Sequence, residues 1–328
     1  MGLQGLLSPA ARHSGIGRSP LGALNENLLI AAVVALAIRT FFFQPCWIPT
    51  ASMEPTLFGI RAKDLRTEPG NLVRTGWRRW WERWARGMSC YHIIAETDGR
   101  LEVVQRDRFK VGDTWYPVPA AWPGFWDAAP IDRQRLYHRG DDLVRLRLTA
   151  GDRILIDRFS YNFRRPRRGE IVVFSTAGLR TATADLPAVP EDQYYTKRLV
   201  SLPREQVRIA ADRHLVVNGV RLDPGTLHFS AIYSFDPTRP PKAGVYSGHL
   251  NAAVAKPFLK PDQPNPAPLF PDADATFTVR PGHLLVFGDN AVESLDGRAW
   301  GDLPERNVLG RCSFVYWPVS ARFLQPTP

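Results

Sequence analysis

Ser52 stands in the run Pro49-Thr50-Ala51-Ser52-Met53-Glu54-Pro55-Thr56-Leu57, directly after an apolar segment and directly before a long polar remainder. A serine hydroxyl is a weak nucleophile until a base removes its proton, so covalent catalysis here needs a partner from elsewhere in the chain. Histidine is the commonest base. None of the seven, His13, His92, His138, His214, His228, His249 and His283, sits in a recognisable catalytic setting, and each reads as surface or structural. No Cys or His pair has zinc-ligand spacing, so no metal is expected. Lysine remains, and it works as a base only when neutral. Holding it so near neutral pH takes a shift of roughly 3 units from about 10.4, through burial and neighbouring positive charge. Lys197 is the candidate, mid-strand in Tyr194-Tyr-Thr-Lys-Arg-Leu-Val-Ser. Strand alternation would bury it and expose Arg198 on the other face.

The element before Ser52 is apolar from Leu28 to Ile38, is interrupted by Arg39-Thr40, and resumes at Phe41-Phe42-Phe43. As a helix, Leu28 to Phe43 spans roughly 24 Å against a hydrocarbon core of ~30 Å. Asn25 or Asn27 is placed to cap it, Arg39 to snorkel, and Trp47 to sit at an interface. The reading is a transmembrane anchor over 24–45 behind a disordered tail, 1–23. Thr40-Phe-Phe-Phe-Gln-Pro is nothing like a leader cleavage site, and a buried core helix of this length would carry polar positions. Arg12 and Arg18 precede the segment, while Arg61, Lys63, Arg66, Arg74, Arg78, Arg79, Arg83 and Arg86 follow it. Counted literally, that charge would place the C-terminal side in the cytoplasm.

With 328 residues the chain can bury a substantial core, and its 25 Gly and 29 Pro favour short strands and many turns. Three cysteines, Cys46, Cys90 and Cys312, exclude a disulfide framework. A net charge of +10 suits nucleic acid, anionic lipid or an acidic partner. No basic recognition helix or aromatic strand supports nucleic acid. Strands are predicted at Arg100-Leu-Glu-Val-Val-Gln, Leu143–Thr149, Gly151–Asp157, Arg168–Ser175, Tyr194–Ser201, Pro281–Asn290 and Val308–Pro318, with a hairpin over 206–221 turning at Asn218-Gly219. Residues 223–275 read as an irregular excursion. Trp77, Trp80, Trp81 and Trp84 fall on one face of a helix among arginines. That stripe fits either a core-facing face or a helix lying in a membrane headgroup region.

Four boxes in order resemble bacterial type I signal peptidases, membrane-anchored Ser/Lys endopeptidases: Thr50-Ala-Ser52-Met-Glu-Pro-Thr-Leu; Gly151-Asp-Arg-Ile-Leu-Ile-Asp with Arg168-Gly-Glu-Ile-Val-Val-Phe; Lys197-Arg-Leu-Val-Ser-Leu-Pro-Arg-Glu; and Gly288-Asp-Asn-Ala-Val-Glu-Ser294-Leu-Asp-Gly-Arg298. The resemblance covers roughly residues 24–57 and 150–318. It implies a mostly β, antiparallel catalytic domain formed by 46–57 and 151–328, with one N-terminal transmembrane helix and a large Trp/Arg-rich insertion at 58–150. By the same resemblance Ser52 is the nucleophile, Lys197 the base, and Ser294 the serine that orients it. Thr50 and the Ser52 backbone N–H form the oxyanion hole. Asp289, Asp296 and Arg298 give structural support, while Ile48, Met53, Leu57, Tyr195 and Thr196 line pockets for small residues. Departures are Pro203-Arg204-Glu205 where the family has Pro-Gly-Asp, which puts a tight turn in doubt, Gly297 in place of a serine, and Ala291-Val292 in place of Arg-Asp.

The implied activity is removal of signal peptides from exported preproteins, cut after an Ala-x-Ala-like sequence and bound as extended strands, with no cofactor. The implied location is the bacterial cytoplasmic membrane, single-pass, with the catalytic domain on the periplasmic or extracellular face. Long translocated domains escape the charge rule, so the arginines after the anchor are compatible with this. Two other readings stand beside it: a peptidase dedicated to one or few secreted clients, and an inactive membrane-anchored binding module.

Overall fold

The structure, a computed structural model, describes residues 20–66, 76–103, 107–118, 132, 134–259 and 263–325. Most of the expected N-terminal tail and parts of the 58–150 insertion lie outside these. The chain divides into two units, one ending at Phe42 and one beginning at Phe43.

In the first unit, helix α1 (Pro20–Ala37) continues through a π-helical turn, Ile38–Phe42. Leu24–Phe42 is apolar and long enough to cross a membrane, and its side chains are exposed. The helical segment stops at Phe42 rather than at 45. The next residues, with Pro45 among them, form strand β1 (Phe43–Trp47) of the second unit, and proline is poorly tolerated inside a helix but acceptable in an edge strand.

The second unit is mostly β. Strand β2 (Arg61–Asp64) is followed by helix α2 (Gly76–Trp84), then β3 (Met88–Ile94), β4 (Gly99–Val103), β5 (Arg108–Val111), β6 (Thr114–Pro117), β7 (Leu136–Tyr137) and β8 (Asp142–Thr149). After these come β9 (Arg153–Asp157), β10 (Ile171–Ser175), β11 (Tyr194–Ser201), β12 (Gln206–Ile209), β13 (Leu215–Val217) and β14 (Val220–Arg221). Helix α3 (Ala252–Ala255), β15 (Phe277–Thr278), β16 (His283–Phe287), α4 (Gly297–Trp300), β17 (Leu303–Pro304) and β18 (Val308–Trp317) complete it.

The main sheet is antiparallel, in the order β1-β9-β18-β10-β11-β16-β17. Both faces of β11 are covered. Leu199 packs with Val172, Phe174, Val286 and Trp300 in one cluster, and Val200 with Val207, Phe229 and Phe287 in another. This overturns the expected exposure of Arg198, which is 1% exposed. An alternating strand exposes every second residue only where one face is wet.

The insertion has its own β structure, a β2-β8-β3 sheet and a β6-β5-β4-β7 sheet around Phe109, Tyr116, Tyr137 and Leu146. The predicted hairpin over 206–221 is instead a three-stranded meander. Asn218 and Gly219, at φ 49° and 80°, turn β13 into β14, as a primed turn requires. The excursion 223–275 contains the short helix α3 and contributes Phe229, Ile232, Tyr233, Ala267 and Phe270 to the core.

Candidate active site

Ser52 sits in a single 3₁₀ turn, Ala51–Met53, between the edge strand β1 and the start of the insertion. Met53 and Leu57 pin this turn to the sheet by packing with Ile48, Ile154, Ile171 and Val173. Close backbone contact fixes it further. Thr50 passes over Gly59 so tightly that a Cβ there would lie 2.4 Å from the Thr50 carbonyl carbon and oxygen. Asp152 staples the far end, where its carboxylate accepts from Phe58 N at 2.7 Å and from both terminal nitrogens of Arg322 at 2.5 and 3.0 Å.

Lys197 reaches this turn from β11, and its Nζ lies 2.6 Å from Ser52 Oγ. At 3% exposure the ammonium form has lost most of its hydration. Burial pushes its pKa down to about 8, with Asp296 opposing the shift and Arg298 reinforcing it. Thr50 Oγ1 lies 3.4 Å from Ser52 Oγ, on the exposed rim.

The loop after β16 holds the other side. Asn290 N donates to the Ser52 carbonyl at 3.1 Å and its Nδ2 to the Ala51 carbonyl at 3.1 Å. Gly288 is required where it stands. A Cβ there would lie 2.5 Å from the Ser52 carbonyl oxygen and 2.1 Å from Ser294 Oγ. Ser294 Oγ is thus beside the Ser52 turn. It is buried without a hydrogen-bond partner, so the structure places it near Ser52 but does not join it to Lys197.

Two buried ion pairs carry this loop. Arg298 grips Asp296 with Nε–Oδ1 and Nη2–Oδ2 both at 2.9 Å, and Gly288 N donates to the same carboxylate at 2.9 Å. Burial alone would raise the Asp296 pKa, but Arg298, Lys197 and the Gly288 N–H together hold it below the usual carboxylate range. Arg198 pairs with Asp289 at 2.8 and 2.7 Å, and Asp289 also accepts from Thr56 Oγ1. The departures fit this frame. Gly297 has no room for a side chain, since a Cβ would meet Val286 O and Leu285 Cδ1 at 2.8 Å. Arg204 takes φ 70°, so the tight turn forms without glycine, and Glu205 accepts from Ser201 Oγ at 2.8 Å and Leu202 N at 2.7 Å.

A cleft of about 260 Å³ opens over Ser52 and Lys197. Ile48, Met53, Tyr195 and Thr196 line it, as does Thr50. Leu57 does not: it is fully buried in the core beneath. Sequence reasoning missed Trp47, Gln193, Tyr194, Glu293 and Leu295 in the lining. Glu293 and Leu295 lie inside the fourth box and Tyr194 in the Lys197 strand, and those positions are the available signal. Among the described residues no histidine lines the cleft. His249, for example, is buried against Tyr233 with its pKa pushed down to about 3 by burial, so it stays neutral and structural. Among the described residues no group of His, Cys, Asp and Glu is arranged to hold a metal.

A hydroxyl in contact with a buried lysine, at the mouth of a cleft on an antiparallel sheet, is an arrangement with the chemistry to activate a serine without histidine. The family model "Signal peptidase, peptidase S26" matches residues 144–317, and the chain belongs to that family. A signal peptidase I from Leptolyngbya laminosa is 27% identical over 53% of this chain and 64% of its own length. One from Pseudomonas aeruginosa is 27% identical over 52% and 61%. The chain thus spans about three-fifths of the length of these relatives. A crystal structure of a signal peptidase I from Enterococcus faecalis aligns at 22% identity over 46% of this chain and 98% of that one, with a TM-score of 0.27.

Proposed function

We propose that the protein is a membrane-bound serine endopeptidase that removes signal peptides from exported preproteins. The observation that carries this is the 2.6 Å contact between Ser52 Oγ and the buried, pKa-lowered Lys197. Neutral Lys197 takes the Ser52 proton as Oγ attacks the scissile carbonyl, and passes it to the leaving amine as the acyl-enzyme forms. Water, activated by the same lysine, then releases the acyl group. The Ser52 N–H and Thr50 Oγ1 receive the developing oxyanion, and Ser294 orients Lys197.

The sheet offers the substrate a berth. β16 pairs with β11 from Arg198 onward, and β10 with its other edge, so the described strands leave one edge of Tyr194–Lys197 without a ladder partner. An extended segment laid between that edge and Ile48–Thr50 would pass over Ser52, with small side chains entering the cleft. The Leu24–Phe42 helix supplies the anchor, in the bacterial cytoplasmic membrane with the unit after Phe43 on the outer face. The test is to incubate the purified protein with a panel of preproteins and map the new N-termini by mass spectrometry. Cuts following small residues support the reading, and cuts at unrelated positions, or none, contradict it. Cleavage confined to one preprotein would identify a dedicated enzyme. Protease protection in vesicles tests the topology, since protection of the large unit from outside would reverse it.

A further inference from the structure

Helix α2, in the insertion, presents Trp77, Trp80, Trp81 and Trp84 to solvent with exposures of 51 to 73%. The core-facing reading of this stripe is thereby excluded. Four large aromatics on one short helix face are far more apolar surface than a wet helix retains by chance. The helix is also tied to the catalytic sheet. Trp317 Nε1, at the end of β18, donates to the Trp84 carbonyl at 2.6 Å, and Val319 N donates to the Ala85 carbonyl at 2.7 Å. A Cβ on Gly87 would lie 2.7 Å from the Trp317 ring, so the chain leaves the helix packed directly on that residue.

We propose that α2 is a membrane-surface helix whose tryptophan stripe seats in the headgroup region of an anionic bilayer, fixing the orientation of the catalytic sheet. Residue chemistry selects lipid over protein as the occupant. Tryptophan favours the boundary between headgroup and acyl chain, and Arg78 and Arg83 flank the stripe where their heads reach anionic phosphates. Arg79 and Arg86 add to the same basic field, and the groove beside the helix is lined by Arg86, Arg147 and Arg322 together with Glu82. A further exposed aromatic belongs to the same end of the sheet. Trp47 pairs with Arg153, and Arg153 with Trp317, so the ring that borders the cleft and the residue that carries α2 flank one strand. A bilayer is also the surface implied by the Leu24–Phe42 span, which β1 follows without a linker.

The test uses the full chain reconstituted in phosphatidylcholine vesicles with and without phosphatidylglycerol, their acyl chains brominated or not. Emission of the wild type minus that of W77A/W80A/W81A/W84A isolates the four rings, and unchanged cleavage of a preprotein in detergent by the variant shows that it folds. The difference emission is expected to fall at least two-fold on bromination in anionic vesicles, and less in purely zwitterionic ones. Arg78→Gln/Arg79→Gln/Arg83→Gln should lose most of that contrast. Difference emission unaffected by bromination would overturn the proposal, whether the rings were open to aqueous quencher or shielded from it by protein. Equal quenching in both lipids would overturn its anionic part.

Discussion

Lys197 Nζ lies 2.6 Å from Ser52 Oγ although the two residues are 145 positions apart in the chain. An edge-strand extension delivers one and an interior strand the other, so the contact exists only when the sheet is complete. The lysine loses its water because β11 is buried on both faces. Burial of the strand and the lowered pKa of Lys197 are therefore one property of the fold.

Activity should follow deprotonation of Lys197. Its folded pKa, lowered to about 8, lies below the unfolded value of 10.5. kcat/KM should therefore rise with pH along a limb centred near 8, and a flat profile between pH 6 and 9 would contradict the assignment. The same shift has a stability sign. Between about 8 and 10.5 the unfolded chain binds the extra proton, so Lys197 adds stability as pH rises through that window, and below it the buried ammonium is destabilising. Lys197→Met should raise stability at pH 6 by an amount on the order of 3 kcal/mol, with the difference vanishing above pH 10.5. Chemical denaturation at the two pH values measures it.

Thr50 Oγ1 is close to Ser52 Oγ and exposed to the cleft. If Thr50 donates to the oxyanion as proposed, Thr50→Val should lower kcat by roughly 10²-fold or more with the melting temperature unchanged. Turnover within a few-fold of wild type would remove Thr50 from the site.

Ser294 Oγ is buried beside Ser52 with no partner of its own. If it orients Lys197 during turnover, Ser294→Ala should lower kcat by about 10-fold or more, leave KM in place and shift the acid limb of the pH profile. A loss of stability without a change in kcat would make it structural only.

Arg204 adopts a left-handed backbone at φ 70° with its side chain exposed. Arg204→Gly should relieve about 1 kcal/mol of strain and raise Tm by roughly 2–4 °C. An unchanged or lower Tm would show that the side chain contributes more than the backbone loses.

Much of the site was legible before any fold was known, because it lies in short boxes whose chemistry is local. Ser52, Lys197 and Thr50 line one cleft, Ser294 lies beside the Ser52 turn, and Asp296 and Arg298 form the pair the resemblance implied. What could not be read depended on the third dimension. Strand alternation alone predicts a wet Arg198, but β11 has two covered faces, and the partner Asp289 is 91 residues away. The resemblance puts Leu57 in the pocket, yet it packs one layer below. The apolar pattern extends the anchor to 45, but Phe43 already pairs with Asp157 of the neighbouring strand. The insertion's two small sheets carried only weak alternation, and no box marked their pairing.

The most direct test of the central claim is cleavage of a preprotein with alanine before the scissile bond by wild type, Ser52→Ala and Lys197→Ala. The account predicts that the wild type releases the signal peptide and that each variant, although folded, loses at least about 10⁴-fold in kcat/KM. Cleavage by either variant within ten-fold of wild type would contradict the Ser52–Lys197 dyad.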